Sequence, residues 1–135
     1  FGKIHDNIEL MRQVSEEHRL NEELKRSVSK FVQVAKDWAF TGRYRYKREY
    51  REKREVVFKA FGALDRDVKD KEQLRKIGIL FDEIDDTVKD ILKRENPVGD
   101  KNVLLMVREL EDRELNIMSN IVELEEMTLR DVRKV

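Results

Sequence analysis

Two histidines, His5 and His18, are the only imidazoles in a chain of 135 residues that has no cysteine. The inventory of groups that could hold a metal or attack a substrate is therefore short. Di-iron carboxylate bundles use Glu-x-x-His twice, because that step projects both ligands inward from successive turns of one helix. Neither histidine has a glutamate three residues before it. Glu17-His18-Arg19-Leu20 lacks the surroundings of a phosphoacceptor histidine, and no Ser/His/Asp set, glycine-rich phosphate loop or paired-cysteine motif is present. The residues predict no catalytic group, no metal site and no cofactor.

Two other groupings could bind something. Trp38, Phe40, Tyr44 and Tyr46 cluster in sequence with Arg43 and Arg45, and aromatic rings with guanidinium groups suit capture of a small molecule between helix ends. On that reading Trp38, Arg43, Arg45 and Tyr46 are the ligand contacts; on the structural reading the same rings plug one end of a helical core. The run from Arg43 to Arg54 is basic with interleaved tyrosines, a pattern also met in RNA and phosphate recognition. An acidic partner is at hand in Asp82, Glu83, Asp85, Asp86 and Asp90, so charge pairing between two helices is the expectation. A third grouping is polar: His18 and Asn21 stand where the apolar pattern thins, near the expected level of Glu114. Such a layer can fix register, respond to pH or form part of a ligand site, and simple solvation explains it equally well.

Charge and composition exclude several classes. Lys plus Arg and Asp plus Glu number 29 each, so net charge argues for neither a nucleic-acid partner nor an anionic membrane. With 43% charged residues, one proline and five glycines, the chain reads as long helices with wide solvated faces rather than a sandwich or barrel. It begins at Phe1 rather than Met, which fits a segment of a longer protein. No apolar run reaches the ~20 residues that span a bilayer.

The elements that position these groups follow from periodicity. We expect one all-α domain over 1–135, an up-down-up-down four-helix bundle with helices at about 2–40, 43–68, 70–95 and 100–135. Ile4, Ile8, Met11, Val14, Leu24, Val28, Phe31, Val32, Ala35, Trp38 and Ala39 mark the inward face of the first. Thr41-Gly42 is the expected break, since glycine tolerates the left-handed conformation and Thr can cap the next helix. The apolar phase continues almost unbroken through Gly42, so one helix reaching Val68 is the competing reading. Asp70 with Gln73 reads as a capping box, Asn96-Pro97-Val98-Gly99 as a stop, and Asp100 as the next cap.

At ~1.5 Å per residue, outer helices of about forty and thirty-five residues outreach inner ones of about twenty-five by ~15–20 Å. Both protruding ends would lie at one pole, as a two-helix, membrane-proximal stalk. The fourth helix carries a spare apolar stripe, Leu104, Leu115, Met118, Val122 and Leu129, and this predicts a homodimer.

Asp37-Trp-Ala-Phe-Thr-Gly42, followed by Tyr46 and Tyr50, resembles the hydrophobic-hydrophobic-Thr-Gly turn of extracytoplasmic four-helix-bundle sensor domains. These include the helical CHASE-type domains of histidine kinases and the ligand-binding domains of methyl-accepting chemoreceptors. In most of those relatives an acid follows the glycine, whereas Arg43 does here, so no ligand preference carries over. The resemblance implies flanking transmembrane helices, a location outside the cytoplasmic membrane, a small-molecule ligand and no enzymatic activity. The alternative is an intracellular scaffold of spectrin-like or BAR-like kind.

Overall fold

The computed structural model describes residues 2–133, and across them the chain is all-helical, with four helices and no strand. Helix α1 spans Gly2–Thr41 (40 residues), α2 Tyr44–Asp67 (24), α3 Lys71–Leu92 (22) and α4 Lys101–Arg133 (33). The last two residues of the expected fourth helix, 134 and 135, lie outside the described residues.

The break after α1 falls at Thr41-Gly42 as expected, but Thr41 ends α1 instead of capping α2, whose N-cap is Arg43 with no side-chain cap bond. Gly42 takes φ +66° and its N–H closes on the Trp38 carbonyl at 2.8 Å, a conformation in which a Cβ would crowd the backbone. The Thr41 hydroxyl donates to the Asp37 carbonyl at 2.6 Å and accepts from the Arg43 N–H at 3.2 Å. One continuous helix to Val68 is thereby excluded. Asp100 caps α4, its Oδ1 accepting from the N–H groups of Asn102 (2.8 Å) and Val103 (3.3 Å). At α3 the Asp70 side chain makes no cap hydrogen bond. Gln73 is buried and donates instead to the Asn120 carbonyl at 2.9 Å, tying α3 to α4.

Helix α1 is the centre of the molecule, packing against each of the other three, while the backbones of α2 and α4 do not approach one another among the described residues. The contacts across α1–α2 and across α3–α4 join residues that run in opposite chain directions. Phe31 meets Tyr50 and Trp38 meets Tyr44 across α1–α2; Arg113 meets Glu83 and Gln73 meets Asn120 across α3–α4. The α2 and α3 backbones come close at only a few points, and large groups fill the rest of the gap. Phe58 stacks edge-on against Phe81, the Phe61 ring reaches to where a Gly78 Cβ would stand, and Tyr50 and Arg54 both bond Asp85. The expected pairing of the basic helix with the acidic one thus comes down to Asp85, which is buried and accepts from Tyr50 at 2.5 Å and from Arg54 at 3.0 Å. Burial and that acceptor raise the Tyr50 phenol well above its ordinary range.

The α1–α4 register departs from expectation. His18 bonds Glu125 and Ser29 bonds Glu114; in both pairs the residue numbers total 143, which sets Arg133 level with Leu10. The α2–α3 connection, at Lys69 and Asp70, borders the same small hollow as Glu17 and Thr128. Beyond that level α1 continues for roughly 20 Å, whereas α4 is described for less than about 10 Å. The two-helix stalk is therefore corrected, over the described residues, to an extension made mostly by α1. Ile4, Ile8 and Met11, expected to face inward, are exposed. No helix among the described residues is long and apolar enough to cross a membrane.

The turn geometry sets a paired test. Gly42→Ala should lower stability by ~1–2 kcal/mol, because alanine must adopt the left-handed conformation. Gly62→Ala, inside α2 with open space where its Cβ would lie, should raise it by ~0.5–1 kcal/mol. Denaturant unfolding measures both, and a stabilising Gly42→Ala would refute this account of the break.

Candidate functional site

The inward face of α1 repeats every seven residues. Trp38, Phe31 and Leu24 are all wholly buried, and the next position down is Glu17. An acid thus occupies the place that the phase assigns to a large apolar side chain. Glu17 is 2% exposed, and Asn21, one turn above it, is 0% exposed. One carboxylate oxygen of Glu17, both amide atoms of Asn21 and one oxygen of Asp67 are buried with no hydrogen-bond partner, an arrangement that costs about 1–3 kcal/mol per unsatisfied group.

Burial pushes the Glu17 carboxyl above the ordinary carboxylate value. The Thr128 hydroxyl opposes this, the charges of Asp67 and Asp70 add to it, and Lys69 opposes it weakly. Leu10, Gln13, Asp131 and Val132 complete the hollow around it. On the outer side of the same seam His18 Nδ1 bonds Glu125 Oε1. Glu22, one turn along α1 from His18, bonds Lys25 at 3.0 Å. A groove lined by Val14, Ser15, His18, Glu125 and Leu129 reaches inward to Glu17 and Thr128.

The polar layer expected from His18, Asn21 and Glu114 is therefore only partly assembled. His18 and Asn21 lie at the base of the seam. Glu114 sits about three turns higher, where it accepts from Ser29 at 3.0 Å and lies 3.8 Å from the Lys36 ammonium. The correction follows from the register, which places Glu125 rather than Glu114 opposite His18. Glu17, Glu22, Glu125 and Asp67 were not foreseen as site residues. A legible signal existed for Glu17, in its seven-residue phase with Leu24, Phe31 and Trp38.

At the opposite end the four expected ligand contacts are neighbours in space, but they do not form an open set. Trp38 is 0% exposed and its indole N–H donates to the Arg94 carbonyl at 3.2 Å. It plugs the core, and its indole N–H is already bonded. Tyr44 packs edge-on against it and the Lys47 ammonium lies 5.2 Å from its ring. Arg45 is spent on Tyr46, donating to its hydroxyl at 2.7 Å with the guanidinium 4.7 Å from the ring centre. Arg43 is exposed and serves as the first residue before α2.

Along α4, Leu104, Leu115, Val122 and Leu129 are exposed, Leu115 at 71%. Met118, assigned to the same stripe, is instead half-buried against the core. The free stripe is therefore narrower than periodicity suggested. No protein-family model, curated protein or solved structure matches the chain.

Glu17 yields a signed pH dependence. Because its carboxyl is raised in the folded protein, its cost is absent at low pH and grows as pH rises through the folded value. Glu17→Leu should raise stability at neutral pH by ~1–3 kcal/mol, removing a buried unpaired charge and completing the apolar phase. The gain should shrink at acidic pH, as wild-type Glu17 takes up its proton. Urea unfolding at both pH values tests this; a gain independent of pH, or a loss at neutral pH, would contradict it.

Proposed function

We propose that this chain is the signal-transducing module of a transmembrane receptor, an up-down-up-down four-helix bundle that works as a dimer outside the cytoplasmic membrane. In this reading α1 and α4 carry a change of state between the bundle and membrane-spanning segments on either side of it. The observation that carries the proposal is the pairing of the two longest helices with their free ends at one pole and a poorly satisfied polar seam between them. Above Leu24 the seam is filled by large apolar groups; at Glu17 and Asn21 it is not. A seam whose base has no preferred apolar interlock supports two packings of similar free energy, and a stimulus that binds one of them better shifts the balance. The Thr-Gly turn with its flanking aromatics adds the resemblance to extracytoplasmic sensor domains. The exposed leucines and valine of α4 supply a surface for the second copy.

Receptor topology requires an apolar segment of about twenty residues on each side of the module in the full-length protein. Polar sequence or further helical repeats there would remove the proposal. Dimerisation is tested on the residues that are free to take part. Leu115→Glu with Val122→Glu should weaken self-association in analytical ultracentrifugation by roughly tenfold or more, ~1.4 kcal/mol, with helicity unchanged. Ile79→Glu, an exposed apolar position on α3, should have no effect. Equal losses from both faces would show that the α4 stripe is not the interface.

A further inference from the structure

No single helix carries a metal motif, but the fold brings ligands together from two. His18 and Glu22 are four residues apart on α1 and so share a face. Glu125, on α4, is brought against them by the register, and one ligand atom from each of the three lies within 4.8 Å of the others. Bonds of about 2 Å to a common ion hold ligand atoms ~3–4 Å apart, so a small rotamer adjustment closes the set.

The surroundings fit a cation. Glu17 reaches the same groove from its buried side, carrying an oxygen with no partner, and Asn21 beside it has no partner for either amide atom. These two side chains, 2% and 0% exposed, are independent of the three ligands and leave unmet acceptor capacity beside them. Lys25 occupies only Glu22 Oε1, leaving the second oxygen of that carboxylate for a metal. The His18 side chain is 61% exposed and Glu125 20%, so one side of the site opens to water, which can complete the coordination.

We infer that His18, Glu22 and Glu125 form a binding site for one first-row divalent metal ion of the Zn²⁺ class, clamping α1 to α4 at the base of their seam. One imidazole with two carboxylates and no thiolate suits Zn²⁺ or Co²⁺ rather than Cu⁺, and the nitrogen ligand disfavours Ca²⁺ and Mg²⁺. The site does not depend on the receptor reading. Its ligands come from two helices that the metal would join, so binding must stabilise the fold.

The test uses the full chain, first stripped with a chelator and then titrated with Zn²⁺ by calorimetry and with Co²⁺ by visible absorption. The expected result is saturation at one ion per chain, a rise in Tm with Zn²⁺, and a Co²⁺ d–d spectrum of nitrogen-oxygen coordination. His18→Ala and Glu125→Gln should each weaken binding roughly tenfold or more and abolish the rise in Tm. His5→Ala should bind as the wild type does. His18 is exposed, so its replacement leaves the core intact, and circular dichroism checks that. Non-saturating binding, unchanged affinity in His18→Ala, or loss of affinity in His5→Ala would each overturn the assignment.

Discussion

The structure depends on how the single seam between α1 and α4 changes character along its length. From Trp38 down to Leu24 the buried positions of α1 are apolar except Ser27, whose hydroxyl bonds the Leu24 carbonyl, and they join Val107, Leu110, Ile117, Ile121 and other buried residues in one contiguous core. Close-packed apolar contacts of this kind define a register sharply, because sliding the helices opens voids. One heptad further down, Glu17 replaces the apolar group and Thr128 faces it from α4. There the register rests on polar groups that are incompletely satisfied. A burial cost is spent where a leucine would have stabilised, and it falls at the level where α2 and α3 turn around. Departures from the local rules of packing concentrate where a protein needs something other than stability.

The rest of the fold is arranged around that rod. Since α1 touches all three other helices, any tilt of its lower half is felt across the core. The α2–α3 pair is joined by rings and by Asp85 rather than by close backbone packing. Asp85 receives Tyr50, Arg54 and, at 3.4 Å, Lys89. Tyr50 and Arg54 reach this buried carboxylate from α2, whereas Lys89 lies one turn along α3 itself, so the link between the two helices rests on the first two. The upper molecule is therefore locked at several points, while the base of the seam is held by the His18–Glu125 pair and by groups without partners.

Much of this was legible in the residues. Gly42, Thr41 and Asp100 declared the helix boundaries because each acts through local backbone geometry, which a sequence encodes directly. Register did not show, since it depends on side chains meeting across more than a hundred residues; hence Glu125 was missed and Glu114 misplaced. The exposed stretch of α1 was misread because Ile4, Ile8 and Met11 keep helical spacing whether or not a partner lies beside them. Gln73 illustrates the remaining failure. Its spacing from Asp70 matched a cap, and a tertiary partner, the Asn120 carbonyl, took it instead.

The central claim is that the lower seam holds two packings of comparable free energy while the upper core holds one. The absence of cysteine makes it directly accessible. Spin labels placed at Arg12→Cys and Arg130→Cys, both exposed and on opposite helices near the base, report the α1–α4 separation by pulsed electron-electron resonance. The account predicts two resolved distances in the otherwise native protein. Replacing Glu17 and Asn21 together by leucine should collapse them to one. A single sharp distance in the native background, unchanged by those replacements, would contradict it.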